Sequence, residues 1–117
     1  MRRKYGQEDP YGVKLWYLGN EMDGPWQIGS WELDPGGYGI HANEISKAMK
    51  WVDGSIETAV CVSCSPLICH YPEWDMAVLE KCYDSVDYVS MHYSCGQRAK
   101  RACLHAHLAT AAGVNTP

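Results

Sequence analysis

The hydrophobic positions of the first ninety residues alternate between strand-like and helix-like spacing. Three apolar runs, at 13–18, 57–63 and 87–93, predict strands. Between them, residues 38–52 and 73–83 carry apolar side chains at intervals of three and four, which predicts two helices. The predicted inner face of the first helix consists of Ile40, Ala42, Ile45, Ala48, Met49 and Val52. The order strand, helix, strand, helix, strand is typical of βα units that build a parallel sheet.

Three parallel strands and two crossover helices make an incomplete fold. A parallel sheet needs both faces covered, and two crossovers cover little more than one. A (β/α)₈ barrel takes about 250 residues, so the 117 residues of this chain amount to roughly half of one. The pattern predicts an α/β fold and is compatible with part of a (β/α)₈ TIM barrel. Such a piece would expose two strand edges and the apolar face meant for the barrel interior, which favours aggregation.

Composition and charge exclude several classes of function. Ten Lys and Arg residues stand against fourteen Asp and Glu, for a net charge of −4, and 46% of the residues are hydrophobic. This composition suits one acidic globular domain, and its longest basic run, 2–4, is too short for a nucleic-acid footprint. No apolar stretch approaches the roughly 18 residues that span a bilayer, and no apolar signal core follows Met1. We expect a cytoplasmic protein with neither nucleic-acid nor membrane partners.

The six cysteines allow two interpretations. Cys61, Cys64 and Cys82 lie in apolar runs, and without a signal segment we expect reduced, buried thiols. The alternative is a small zinc-binding protein with ligands from Cys61, Cys64, Cys69 and His70. However, residues three apart on a strand point to opposite faces, and no second Cys-x-x-Cys completes a zinc ribbon. We therefore expect neither a metal ion nor a cofactor.

Candidate chemistry follows the ends of the first and third predicted strands, where a barrel carries its active site. Asn20 and Glu21 offer an amide for a sugar hydroxyl and a carboxyl group for proton transfer, although they suit a turn or helix cap equally well. A barrel could bring His92 to the same mouth, but a lone His is more often only a satisfied polar residue. Trp26 is either a sugar-stacking platform or a packing residue of the loop.

Several segments of the chain resemble α-L-arabinofuranosidases of glycoside hydrolase family 51. The most specific is Gly-Asn-Glu-Met-Asp-Gly-Pro-Trp at 19–26, and the resemblance runs in order from about Lys4 to about Tyr93. The other segments are 47–53, 55–57, 71–75 and 83–92. Family members are retaining glycosidases on a (β/α)₈ barrel with an added β-sandwich. The resemblance implies that residues 1–93 are a barrel fragment with about the fourth to sixth strands and their helices.

The resemblance also implies roles for individual residues. Glu21 would be the general acid/base, which protonates the leaving oxygen and then deprotonates the water that releases the sugar. Asn20 would hydrogen-bond the arabinofuranosyl ring of the substrate, and His92 would line the site. The family has a substrate-binding Tyr shortly after this His; here Ser94 occupies that position, and Tyr93 stands one place earlier. We expect apolar surroundings and a second carboxylate to raise the pKa of Glu21.

That second carboxylate, the family's nucleophile, would fall beyond Pro117, so we expect the chain alone to hydrolyse nothing measurable. Residues 94–117 form a divergent tail, in which a basic run at 97–101 and an Ala- and His-rich end replace the sequence typical of the family. We hypothesise a reading-frame shift in the coding sequence after Tyr93. A non-catalytic carbohydrate-binding or interaction remnant is the alternative function, which the presence of Glu21 disfavours. Family members are commonly intracellular and often homo-oligomeric.

Overall fold

A computed structural model describes residues 2–92. Within them the elements are a 3₁₀ helix at Arg2–Tyr5, β1 at Leu15–Tyr17, α1 at Pro35–Val52, β2 at Glu57–Cys61, α2 at Glu73–Cys82 and β3 at Tyr88–Ser90. The order predicted from the sequence is confirmed. Each strand is shorter than its apolar run, because the ladder between neighbouring strands spans only three paired positions on either side of β2. Tyr93 and the predicted tail, 94–117, lie outside the described residues.

The three strands form one parallel sheet in the order β1-β2-β3. Leu15 of β1 pairs with Glu57 of β2, and Ala59 of β2 pairs with Tyr88 of β3. The central strand is buried over its last four residues, whereas every residue of β1 is exposed. The fold is therefore α/β, with a small parallel sheet and two crossover helices, as predicted.

Helix α1 begins three residues earlier than the spacing predicts. The side chain of Asp34 caps it by accepting a 2.8 Å hydrogen bond from the backbone N–H of Gly37, and Pro35 opens the first turn. Its buried residues are Tyr38, Gly39, Ala42 and Ser46. The predicted inner face was wrong apart from Ala42, since Ile40 and Val52 are exposed. The small residues of the observed face let α1 lie close to its neighbours.

The core lies between β2 and the two helices. Its buried residues are Tyr38, Ala42, Val60, Cys61, Trp74, Val78 and Cys82. The rings of Tyr38 and Trp74 stack with their centroids 5.7 Å apart, which fixes the start of α1 against the start of α2. The predicted helical spacing of Trp74, Val78 and Cys82 is confirmed, because α2 buries all three against this core.

Apolar surface remains uncovered around this core. A groove of about 350 Å³ crosses the sheet, and neither described helix lines it. Its lining residues are Leu15, Tyr17, Ala59, Tyr88, Val89, Ser90 and Met91. A second groove of about 430 Å³ lies beside β1, between Trp16 and the last turns of α1. Tyr17 and Met91 are more than half exposed, so the predicted exposure of apolar strand residues is confirmed. None of the described helices is long and apolar enough to cross a membrane.

Candidate active site

A tight turn just after β1 carries the candidate acid/base. The backbone N–H of Gly24 donates a 2.9 Å hydrogen bond to the carbonyl of Glu21 and closes the turn. Glu21 has a φ of +49°, which is uncommon for a residue with a side chain. The approach to this turn is crowded, because a Cβ at Gly19 would lie 2.6 Å from Cγ of Met22 and 2.7 Å from the hydroxyl of Tyr38. Only glycine fits at position 19 without displacing these groups.

The structure brings Glu21 and His92 together. Oε1 of Glu21 lies 3.0 Å from Nδ1 of His92, which follows β3 by two residues. Both side chains are only partly buried. The carboxyl ends of β1 and β3 therefore meet at one edge of the sheet, where the sequence predicted that a barrel would join the two residues.

Trp26 also contacts Glu21. Its Nε1–H donates a 2.9 Å hydrogen bond to Oε2 of Glu21. The indole lies over Gly24, where a Cβ would sit 2.4 Å from Cε2 of the ring, so the turn needs glycine at this position too. Trp26 remains 57% exposed, which excludes it from the core. Its polar edge orients the candidate acid, and its stacking against a sugar stays a prediction.

The electrostatics of Glu21 correct one expectation. The hydrogen bond from Trp26, followed by that from His92, lowers the pKa of Glu21 below its ordinary value, and the slight burial of the carboxylate opposes this only weakly. The predicted raised pKa is therefore wrong for this chain. The physical reason is that no second carboxylate contacts Glu21 within residues 2–92, while side-chain hydrogen bonds, above all those with Trp26 and His92, favour its ionised form.

The other predicted site residues are not joined to this pair by hydrogen bonds. Asn20 is exposed, and its side chain makes no hydrogen bond within the part of the chain that the structure describes. An exposed amide beside Glu21 is available to a ligand, and its role stays a prediction. Tyr93 lies outside the described residues.

Sequence reasoning missed Asp23, the most deeply buried charged side chain near the site. Asp23 is 0% exposed. Its Oδ2 accepts a 2.9 Å hydrogen bond from the backbone N–H of Cys64 and lies 3.2 Å from Nε2 of His70. In the sequence, an Asp between Met22 and Gly24 reads as an ordinary turn residue. Only the tertiary structure shows that this carboxylate points into the protein.

The cysteines behave as separate thiols. Cys61, Cys64 and Cys82 are buried and free, as predicted, but Cys69 is exposed. The sulfur of Cys61 lies 3.1 Å from the hydroxyl of Tyr38, and burial, above all, raises the pKa of both groups. Burial and the nearby Asp23 raise the pKa of Cys64 to about 12. Among residues 2–92 no group of three or more His, Cys, Asp and Glu side chains is arranged to hold a metal ion, so the zinc hypothesis gains no support.

Fold and site together define a class of protein: an α/β segment that presents a carboxyl group, held by an imidazole and an indole, at the carboxyl edge of a parallel sheet. Comparisons with known proteins agree with this class. No protein-family model matches the chain. The intracellular exo-α-(1→5)-L-arabinofuranosidase 1 of Bacillus subtilis is 50% identical over 98 residues, which are 84% of this chain and 19% of that protein. The exo-α-(1→6)-L-arabinofuranosidase of Bifidobacterium longum is 42% identical over 91 residues, 78% of this chain and 17% of that protein.

Solved structures give the same result. The family 51 α-L-arabinofuranosidase AbfB of Bifidobacterium longum matches with a TM-score of 0.74 and 34% identity over 86% of this chain and 19% of that structure. The arabinose complex of the Thermotoga maritima enzyme matches with a TM-score of 0.65 and 33% identity, over 97% and 22% of the two chains. The chain thus resembles a segment of the family 51 α-L-arabinofuranosidases in sequence and in fold. It spans about a fifth of the length of these relatives.

Proposed function

We propose that this chain is the acid/base-bearing segment of a retaining, cytoplasmic α-L-arabinofuranosidase. The enzyme would remove α-L-arabinofuranosyl residues from the non-reducing ends of oligo- and polysaccharides. The observation that carries the proposal is the contact of Glu21 with both His92 and Trp26, within a segment 50% identical to an exo-acting arabinofuranosidase. The catalytic role of Glu21 is the part of the proposal that an experiment must test first.

The geometry assigns different tasks to the two oxygens of Glu21. The indole N–H of Trp26 can only donate, so Oε2 acts as an acceptor. The proton of the acid form is then best placed on Oε1, and Nδ1 of His92, 3.0 Å away, must be unprotonated in that form. In the first step Glu21 would give this proton to the leaving oxygen of the glycoside, and in the second it would take a proton from water. Asn20, exposed beside it, would bind a hydroxyl of the arabinofuranosyl ring.

A general acid must hold its proton near neutral pH, and the two donors oppose this. A negative charge near Glu21 would raise its pKa, because a second carboxylate disfavours ionisation of the first. Retaining glycosidases place their nucleophile carboxylate about 5 to 5.5 Å from the acid/base. Residues 2–92 place no such group on Glu21, so the proposed enzyme needs a nucleophile from another part of the molecule, and this segment by itself would be inactive.

We further propose that β1, β2 and β3 are about the fourth to sixth strands of a (β/α)₈ barrel. Three features support this placement. The strands are parallel and follow sequence order, α1 and α2 form the core with β2, and the groove across the sheet is lined by neither described helix. In a barrel this groove would face the packed interior, and the groove beside β1 would receive the neighbouring βα unit.

A chimeric enzyme tests the proposed function. Residues 4–92 would replace the matching segment of the Bacillus subtilis arabinofuranosidase, and hydrolysis of an α-(1→5)-linked arabino-oligosaccharide would be measured, because its leaving sugar oxygen must be protonated. We expect the chimera to turn over this substrate, and Glu21→Gln to lower kcat/KM by roughly 10²- to 10⁴-fold, as loss of a general acid does. Glu80→Gln, on the exposed face of α2, is the matched control and should leave the rate unchanged. A folded chimera that keeps its activity after Glu21→Gln would refute the role of Glu21.

A further inference from the structure

Asp23 joins three segments of the chain through one buried carboxylate. It belongs to the turn that carries Glu21, and its Oδ2 meets the backbone N–H of Cys64 at 2.9 Å and Nε2 of His70 at 3.2 Å. Cys64 follows the end of β2, and His70 precedes α2. Oδ1 of Asp23 is buried and has no hydrogen-bond partner among the described residues.

Both partners of Asp23 are anchored to the core. Cys64 is buried a few residues beyond β2, and the ring of His70 lies 6.2 Å from that of Trp74, a residue of the core itself. Burial of a carboxylate is unfavourable unless donors compensate for the lost water. The turn therefore has one favourable position, in which Asp23 reaches these two fixed donors.

The turn needs such an anchor because its own geometry is unfavourable. Glu21 has a φ of +49°, in the left-handed region that residues with side chains rarely adopt. Besides Asp23, the backbone hydrogen bond from Trp31 to the carbonyl of Met22, at 2.8 Å, holds the turn against its own loop. Met22 also packs against the core, and the carbonyl of Trp31 accepts a 3.3 Å hydrogen bond from Nε1 of Trp74 in α2. Asp23 adds the direct hydrogen bonds that join the turn to the segments after β2 and before α2.

We propose that Asp23 is a positioning residue for Glu21, and that its bonds with Cys64 and His70 hold the turn where Glu21 reaches His92 and Trp26. The inference rests on the proposed function only in so far as Glu21 is a catalytic residue; the position of Glu21 does not depend on that role. Its test uses the folded 117-residue chain and no turnover, so the two can fail separately: the chimera tests the role of Glu21, and the measurement below tests its position.

The test is the pKa of the Glu21 carboxyl group, followed by ¹³C NMR in the full chain, together with the indole N–H signal of Trp26. We expect Asp23→Ala to raise the pKa of Glu21, because a displaced carboxylate loses donors that favour its ionised form. Loss of the Asp23 charge alone would lower that pKa, since a nearby negative charge disfavours ionisation. The sign of the shift therefore separates positioning from simple electrostatics. An unchanged or lowered pKa, with the Trp26 signal still following the titration of Glu21, would overturn the proposal.

Three further variants complete the test. Asp84→Ala removes the same charge from an exposed site between α2 and β3, at the other end of the strands, and should leave the pKa of Glu21 unchanged. His70→Gln keeps a side-chain N–H that can reach Asp23 and should behave like the native chain, whereas His70→Ala should raise the pKa of Glu21. If Asp23→Ala does not fold, the two His70 variants show whether the contact of His70 with Asp23 positions Glu21. Equal pKa values of Glu21 in these two variants and the native chain would refute the inference.

Discussion

At the scale of single residues, the chemistry of the site depends on the hydrogen bonds that the carboxylate of Glu21 makes. Its carboxylate contacts Trp26 of the same loop and His92 just after β3. The indole N–H is a donor at every pH, whereas the role of Nδ1 of His92 depends on the tautomer. The hydrogen bond from Trp26 is the larger cause of the lowered pKa of Glu21. Trp26 is therefore the residue whose change should move that pKa most directly.

Trp26→Phe keeps an aromatic ring over Gly24 but removes the donor to Oε2 of Glu21. We expect the pKa of Glu21 to rise towards its ordinary value, because the ionised form loses a hydrogen bond that the neutral form needs less. A ¹³C NMR titration of the Glu21 carboxyl group measures this. Trp51→Phe is the matched control, since Trp51 is 90% exposed on α1 and should leave the titration unchanged. A pKa of Glu21 that does not rise in Trp26→Phe would contradict this prediction.

The residues of the site were predictable from the sequence only in part. The meeting of Glu21 and His92 followed from their positions at the ends of parallel strands and from the family resemblance. The direction of the Glu21 pKa did not, because it depends on the hydrogen bond from Trp26, and a sequence does not show which edge of an indole faces which group. Asp23 was missed for a similar reason, since turn chemistry explains an Asp before Gly24 without any need for burial.

At the scale of the elements, α1 and α2 lie in close contact at Gly39. A Cβ at this position would lie 2.6 Å from the carbonyl oxygen of Val78 and 2.9 Å from Cβ of Lys81. The contact is with the backbone of α2, which cannot rotate away as a flexible side chain would. Gly39 therefore sets the distance between the helices, and the core residues Tyr38 and Val78 pack at that distance.

Gly39→Ala should force the two helices apart. We expect the free energy of unfolding to fall by about 1–3 kcal/mol, which is the usual effect of overpacking a close contact. Urea denaturation measures this loss. Gly36→Ala is the matched control in the same helix, because its Cβ would meet nothing closer than Oδ1 of Asp34 at 4.0 Å. This control should be neutral or should stabilise the chain by up to about 1 kcal/mol, since Ala favours a helix more than Gly. Equal losses in both variants would show that Gly39 does not set the helix spacing.

The elements show where sequence patterns succeed and where they fail. The order and parallel pairing of the strands followed from alternating periodicities and short connections. The inner face of α1 did not, because the helix carries apolar residues on more than one side. Periodicity selects the most apolar face, which includes Ile40 and Val52, but the buried face is the one whose small residues allow close packing, with Gly39 and Ser46. Packing distance, rather than hydrophobicity, decided the orientation.

At the scale of the whole molecule, a polar network holds the helices and strands together at the amino end of the sheet. Oδ2 of Asp87, just before β3, accepts from Nζ of Lys50 at 2.6 Å and from the backbone N–H of Thr58 at 2.7 Å. Lys50 also donates to the carbonyl of Ser85 at 2.9 Å, and the hydroxyls of Ser46 and Thr58 lie 2.8 Å apart. One carboxylate thus connects α1, β2 and β3, and we expect the stability of the whole chain to depend on its charge.

The hydrogen bonds from Lys50 and Thr58 lower the pKa of Asp87 below its ordinary value of 3.8. A carboxyl group with a lowered pKa stabilises the folded state fully above its ordinary value, and this stabilisation is lost as the pH falls through its folded-state pKa. Asp87→Asn should therefore lower the free energy of unfolding by about 1 kcal/mol at neutral pH, a modest figure because the side chain is partly exposed. The difference from the native chain should shrink at acidic pH below 3.8, as the pH falls through the lowered pKa of Asp87 and the native side chain also becomes neutral. Urea denaturation at neutral and at acidic pH measures this difference in the free energy of unfolding.

Asp84→Asn is the control, because Asp84 is exposed and its side chain has no hydrogen bond to lose within the described residues. This variant should match the native chain at both pH values. A loss of stability in Asp87→Asn that is independent of pH would show that the charge of Asp87 does not connect these elements.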